Sequence, residues 1–378
     1  MAASRLVLLA ALLLTACTHE TQPPPSVATS PVLTPPDQLA YVPVAFSQLP
    51  GWDSDRLAEA IPALRKSCDR LMQLPTGQAV GANGAGGTVG DWTGACGALR
   101  WVKQDDEAAL RAYLQDWFQP FKVGNGHGDD GRFTGYYEAE LHGSRHKSAK
   151  YHFPLLGRPQ GQPADPGPTG SLSRAEIEAG KLGDKAPVLL WVDDAVDLHI
   201  LQIQGSGRIL LEDGSVQRVG YAGNNGRDFV GLGKILLDHG KLGAGETTMP
   251  FVRGWLKSHP AEAPALMAEN PRYVFFRMIT GEGPIGAFSV PLTAGRSLAV
   301  DPKFIPLGVP VWLDSVDPDG IKLQRLMVAQ DTGSAIKGVV RGDVFWGSGD
   351  AAFDKAGRMK SRGSYYVLLP AQRSAPVA

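Results

Sequence analysis

The chain has 378 residues, 43% hydrophobic and 20% charged, with a formal net charge of −1. That length leaves room for two domains, and the near-neutral balance supplies no electrostatic footprint for nucleic acid. With 46 Gly and 29 Pro, turns and short strands should outweigh long helices.

Residues 1–16 read as a targeting segment. Arg5 is the lone charge ahead of LVLLAALLL, an apolar run too short to span a bilayer. Leu14-Thr15-Ala16-Cys17 resembles the bacterial lipoprotein cleavage box, which makes Cys17 the lipid-bearing first residue of the mature protein; an ordinary signal peptide cleaved nearby is the alternative. Thr18, rather than Asp, follows the cysteine, and in enteric-type sorting this favours the outer membrane. The expected location is an outer-membrane lipoprotein facing the periplasm, held by acyl chains that do not cross the bilayer. Residues 17–45, rich in Pro, Ser and Thr, read as a tether.

In an oxidising periplasm the remaining Cys68 and Cys96 are candidates to pair, which restricts the unfolded chain by about 3 kcal/mol; two buried free thiols are the alternative. No CxxC or Cys/His cluster has metal-ligand spacing, so neither metal nor cofactor is expected.

Leu57, Ile61, Leu64, Cys68 and Leu71 fall at helical spacing behind Asp53 or Ser54 as a cap, with Pro62 as a kink. GANGAGGTVG (81–90) reads as a flexible loop; it lacks the Lys-Ser/Thr of a phosphate loop. A second amphipathic helix starts at Asp105. FTGYYE (133–138) is an aromatic strand on which Tyr136 and Tyr137 point to opposite faces, so that one can pack and the other can meet a ligand. Ser173 to Glu176 is a capping box opening a short helix that Gly180 ends. PVLLWV, DLHILQIQGSG, RILLEDG and VQRVGYAG then suggest a small antiparallel sheet or barrel, and three helices and the strand YVFFRMI follow. GEGPIG reads as a boundary. Beyond it, SLAVDP, VPVWLDS, KLQRLMVAQD, VVRGDVFWG and SYYVLLP are five strand-like runs that argue for a compact β-barrel.

Two of those runs end in carboxylates, Asp331 before Thr-Gly-Ser and Asp343 between Gly342 and Val344. A carboxylate at a strand end can face a groove while its backbone stays held in a sheet. Gln204-Gly205-Ser206-Gly207 and the turn from Tyr221 to Gly226, which includes Asn225, offer amide and hydroxyl groups suited to a glycan, although plain hairpin turns would look the same.

FTGYYE, LSRAEIEAGKLGDK, IQGSG, YAGNNG, NPRYVFF, LAVDPKFIPLG and QDTGSAIKGVVRGDVFWGSG, in this order, resemble the membrane-bound lytic murein transglycosylase A family over roughly 130–370. The three aspartates that give its C-terminal 3D domain its name correspond to Asp301, Asp331 and Asp343. Ala139 stands where the pattern usually has Pro, and Ser334 where Gly is common. The resemblance implies a mainly β fold with flanking helices. A double-psi β-barrel domain (46–137 plus 282–370) would carry an inserted β-barrel-like domain (138–281), with a groove between them and a tail at 371–378.

The implied activity is cleavage of the β-1,4 bond between N-acetylmuramic acid and N-acetylglucosamine without water, leaving a 1,6-anhydro end. Asp343 is the implied acid and base, with Asp331 as a supporting carboxylate and Asp301 structural. Thr134, Tyr136, Tyr137, Gln204, Gly205, Ser206, Tyr221, Asn225 and Lys337 are the expected substrate contacts, with Lys337 open to a second role in lowering the pKa of the acid. A free Asp, at about pKa 3.9, is ionised near neutrality; burial against Phe345 and Trp346 and a neighbouring carboxylate would raise it. Expected partners are peptidoglycan glycan strands, the outer membrane through Cys17, and other wall-remodelling proteins; a monomer is the default.

Three other readings compete. Asp331-Thr-Gly-Ser is also the tetrapeptide of aspartic proteases, but it occurs once, after Gln330 rather than an apolar residue. A muramidase-type hydrolase would use Asp331 or Asp301 as a base for water. A non-catalytic wall-binding lipoprotein would need no acid at all.

Overall fold

The computed structural model describes residues 39–124, 128–167, 171–281 and 283–371. The expected signal segment, Cys17, most of the tether and nearly all of the tail lie outside the described residues. In chain order the described elements are β1 (Ala40–Pro43), α1 (Ile61–Leu71), α2 (Val89–Leu99), α3 (Glu107–Trp117), β2 (Phe118–Gly124), β3 (Gly131–Ser144), β4 (Phe153–Leu156), α4 (Arg174–Glu178), β5 (Val188–Val192), α5 (Ala195–Gln204), β6 (Ser206–Leu211) and β7 (Val216–Asn224). They continue with α6 (Leu232–Asp238), α7 (Met249–Ser258), α8 (Ala263–Ala268), β8 (Val274–Ile279), β9 (Ser297–Val300), β10 (Pro310–Val316), β11 (Lys322–Asp331), β12 (Arg341–Ser348), α9 (Asp350–Arg358) and β13 (Lys360–Pro370).

The fold is mainly β, and its pairings return on themselves. From β13 the hydrogen-bonded path runs through β10, β11, β9, β12 and β3, and β3 pairs β13 again. The C-terminal part of β3 continues into a second set, pairing β6, then β7 and β8 on one side and β5, then β4, on the other. A bridge between Gly157 and Phe276 brings the end of β4 against β8.

The long β3 therefore belongs to both sets, and its alternation explains how. Phe133 is buried with Leu298, Val300, Val344 and Tyr365 in one core. Tyr137, Ala139 and Leu141 are buried with Ile209, Val219 and Phe276 in another. Successive strand side chains point to opposite faces, so the intervening Thr134, Tyr136, Glu138 and Glu140 form one polar face along the same strand. Ala352 and Ala356 of α9 pack into the second core although they lie in the C-terminal sequence.

Several elements differ from the sequence reading for identifiable reasons. Residues 40–43, inside the expected tether, pair β2 from Ala40↔Gly124 to Pro43↔Phe121, and the Tyr41 hydroxyl donates to Phe304 O at 2.9 Å. Pro62 sits in the first turn of α1, after a 3-10 turn at Leu57–Ala60; there its missing N–H is harmless and it produces a start, not a kink. The stretch 81–90 is closed by Val80 N–H to Gly87 O and Gly86 N–H to Val80 O, both 2.8 Å, and it leads into α2 through the Thr88–Asp91 capping box. Three glycines hide α2 in the sequence. One is demanded by packing, because a Cβ at Gly94 would stand 2.6 Å from the Trp117 ring. DLHILQIQ is the helix α5, capped by Asp194; Leu198 through Gln202 are all buried, so no polar face betrays the helical period.

Cys68 of α1 and Cys96 of α2 are joined, with Cα atoms 5.2 Å apart. The bond closes a loop across the helical layer that covers the first core. Replacing both cysteines by Ala should lower unfolding stability by about 3 kcal/mol, read as a matching fall in the wild-type denaturation midpoint that reducing agent reproduces.

Candidate active site

Strand register assembles the site, and Asp343 stands inside β12, third of its eight residues, not at the strand end expected from the sequence. Asp343 of β12 is paired with Ala299 of β9 on one side and Thr134 of β3 on the other, and Ala299 is paired in turn with Asp331 of β11. Asp331, Ala299, Asp343 and Thr134 thus form one row across four strands, with only a methyl group between the two carboxylates. Phe345 is in register with Tyr136, and their rings lie 5.2 Å apart. Asp343, Thr134, Tyr136 and Phe345 consequently share a face. Trp346 does not: its Nε1 lies 2.6 Å from where a Cβ on Gly135 would stand, on the other face of β3. The aromatic wall beside Asp343 is Phe345 with Tyr136, a correction to the pairing of Phe345 with Trp346.

The two carboxylates are held differently. Asp331 Oδ1 accepts the N–H groups of Ala287 and Thr332, both at 2.9 Å, and its Oδ2 accepts the Tyr136 hydroxyl at 2.9 Å. Both of its oxygens are engaged by donors, which suits an ionised group. Asp343 accepts the Thr134 hydroxyl on Oδ1, and among the described residues nothing donates to its Oδ2. Thr134 Oγ1 itself accepts Arg341 Nη2–H at 2.8 Å, so its hydrogen is committed to Asp343 and the proton of a neutral Asp343 belongs on Oδ2.

Burial is the main cause that pushes the Asp343 carboxyl up to about 6; the Thr134 hydrogen bond and Arg341 pull it down, and Asp331 raises it further. Burial also raises Asp331, against the backbone donors and Tyr136 that favour its charged form. The Tyr136 hydroxyl is pushed well above its ordinary range by burial and by Asp331, so it remains a donor. An Asp near 6 holds its proton in a useful fraction of molecules close to neutrality, and its conjugate base is strong enough to take one back.

Asp301 is buried, its Oδ1 accepting Lys303 N–H at 3.1 Å and its Oδ2 accepting Gly338 N–H at 3.0 Å. It ties down the loop between β11 and β12. Lys337, next to that anchor, is exposed. Tyr137 is buried, its ring 5.3 Å from Phe353; of the two tyrosines, Tyr136 is the one at the carboxylates. Gln204 Oε1 accepts Tyr137 N–H at 3.2 Å, and Gly205 ends α5 with φ 78° before Ser206 opens β6. Tyr221 is 39% exposed, and its hydroxyl bonds Asp165 at 3.2 Å. Asn225 is buried, its Nδ2 donating to Leu172 O and Pro271 O and its Oδ1 accepting Tyr273 N–H, all at 2.8 Å; its amide is consumed by the second set of strands.

Arg341 and the Ala287 N–H were not anticipated. Arg341 had a legible signal, since a residue two before Asp343 on a strand shares its face. Ala287 had none, because it directly follows the expected boundary GEGPIG; there Gly286 N–H bonds Val290 O at 2.9 Å and Phe288 N–H bonds Gln330 O at 3.0 Å, holding the loop against the end of β11. Among the described residues, no group of three His, Cys, Asp or Glu side chains could hold a metal ion. Two concavities of about 250 and 260 Å³, one beside the disulfide and one beside Phe288 and Leu307, include neither aspartate.

Residues 132–277 match the MltA specific insert domain and residues 296–369 the 3D domain. The chain is 35% identical over 248 residues to the membrane-bound lytic murein transglycosylase A of Escherichia coli K12, across 64% of this chain and 66% of that protein. It is 43% identical to the lytic transglycosylase LtgG of Burkholderia pseudomallei, covering 90% of this chain and 98% of that one with a TM-score of 0.63. The crystal structure of E. coli MltA with bound chitohexaose is 28% identical, covering 89% and 93% with a TM-score of 0.67.

The raised pKa makes a sign-specific prediction for stability. Folding binds a proton at Asp343 more tightly than the unfolded chain does, so this contribution is fully present below about pH 4 and lost as pH rises through about 6. Asp343→Asn does not titrate there. It should therefore gain on the wild type between those limits, by up to about 3 kcal/mol at pH 8, measured as the difference in urea midpoints at the two pH values.

Proposed function

The chain belongs to the membrane-bound lytic murein transglycosylase A family, and on that premise we propose that it cleaves the β-1,4 bond between N-acetylmuramic acid and N-acetylglucosamine in peptidoglycan, forming 1,6-anhydro ends. Asp343 carries the reading. Its proton passes from Oδ2 to the bridging O4 as the C1–O4 bond breaks. The C6 hydroxyl oxygen of the same muramic acid bonds C1, and its proton goes to the Asp343 carboxylate, which restores the acid. A nucleophile already attached to the reacting sugar needs no second molecule to be captured, so one carboxyl suffices.

Asp331 serves as the fixed negative neighbour that keeps Asp343 from ionising too readily and faces the positive charge developing at C1. Three donors already reach its two oxygens, which lowers its basicity toward a water and favours the intramolecular route over a hydrolase. Thr134 and Tyr136 orient the two carboxylates, while Lys337, Gln204, Gly205, Ser206 and Tyr221 flank the glycan. Tyr137 and Asn225 shape the binding surface from behind. Asp301 keeps its structural role.

The six-strand closure supports a double-psi β-barrel for 46–137 plus 282–370, and the separate second core supports an inserted β domain over 138–281 with the glycan groove between them. The name of the E. coli relative, membrane-bound, together with the cleavage box at Cys17, supports a lipid-anchored protein of the outer membrane that faces the periplasm and meets other wall-remodelling proteins there.

Because the protonated form of Asp343 is the acid, kcat/KM for release of anhydro-muropeptides from sacculi should fall about tenfold per pH unit above a pKa near 6. Asp343→Asn should lose at least about 100-fold in turnover while still sedimenting with sacculi. Release of reducing ends in place of anhydro ends, seen by mass spectrometry, would overturn the reaction assigned here.

A further inference from the structure

Two residues along each strand from the Asp343–Thr134 pair, the register sets like charges side by side. Arg341 of β12 is paired with Arg132 of β3, and Arg132 with Arg362 of β13. Lys360 of β13 is paired with Thr134 itself. All four cations share the face that carries Asp343, by the alternation of their strands. The arginine row spans roughly 10 Å at normal strand spacing and stands roughly 7 Å along the strands from the acid.

Like charges directly opposite across strands destabilise a sheet, and here four cations face two carboxylates, Asp343 beside Arg341 and Arg132, and Asp130 beside Arg362. Arg362 is paired with Asp130, and both are largely exposed. Arg341 bonds the Thr134 hydroxyl and the carbonyl of Gly342, with no ion pair among the described residues. Arg132 and Lys360 are exposed and have no ion pair among the described residues either. Burial disfavours the charge on Arg341, Asp343 favours it, and the neighbouring Arg132 disfavours it again. Such an arrangement gains from an anion arriving from solution, and guanidinium groups hold carboxylates through paired N–H donors.

We infer that the row Arg341–Arg132–Arg362, with Lys360, is a subsite for a carboxylate on the peptide stem that the muramic acid carries next to the bond being cut. This rests on the transglycosylase reading above. The glycan itself offers hydroxyl and acetamido groups, which do not call for four cations; the peptide stem ends in carboxylates and leaves the sugar ring beside the scissile bond. The protein would then favour peptide-bearing strands over bare ones, with the preference set by charge.

The test compares kcat/KM of the full-length protein on peptide-bearing glycan strands and on the same strands stripped by an amidase, with the lactyl carboxylates this exposes capped as methylamides, at low and high salt. Peptide-bearing strands should be preferred, and the preference should shrink as salt screens the subsite. Arg132→Gln and Lys360→Gln should each reduce the ratio between the two substrates about two- to fivefold, and the double variant should bring it close to one. Equal cleavage of both substrates by the wild type, or variants that lower both rates in parallel, would overturn the subsite while leaving the transglycosylase intact. Failure of the wild type to form anhydro ends on either substrate would instead overturn the reading on which it rests.

Discussion

The parallel pairing of β12 with β3 is the constraint from which the site follows. It puts Asp343 opposite Thr134 and Phe345 opposite Tyr136, delivering to one face a carboxyl, the hydroxyl that orients it and the aromatic pair that dries it. Strand side chains alternate strictly, so a slip of one residue would send Asp343 into the packed core and Val344 into solvent. The buried odd-numbered residues of β3 prevent that slip, since Phe133 and Tyr137 each anchor a different core.

Chemically similar groups are then differentiated by what surrounds them. Three donors converge on Asp331, one hydroxyl reaches Asp343, and two backbone amides occupy Asp301. Several donors favour the charged form of a carboxylate, whereas one with an open oxygen in a desolvated setting can exchange a proton. Ala299 lets the first two coexist in one row, because a larger residue there would fill the space between them.

Much of this was legible in the residues. The five C-terminal strand runs, the helix behind Ser173 and the opposed faces of Tyr136 and Tyr137 all follow from period and turn chemistry, and the structure has each of them. The chain motifs also brought Asp331 and Asp343 forward as a pair. What stayed hidden depends on tertiary contacts. Helix α5 is apolar on every side, α2 is interrupted by glycines that its neighbours require, and Ala287 reaches Asp331 from a segment that looks like a linker. The face of Trp346 is legible by alternation alone, since it follows Phe345 and so points the other way, whereas the register shift of β12 after Phe345 is not.

The unbroken run of β3 through both sets of strands also governs mechanics. Hinges form where a few residues absorb large dihedral changes, and β3 has a paired neighbour on one edge only from Gly135 to His142, β12 as far as Glu138 and β6 from Ala139. The changeover from β12 to β6 at Glu138 and Ala139 is therefore the least braced point of the one strand that the two sets share.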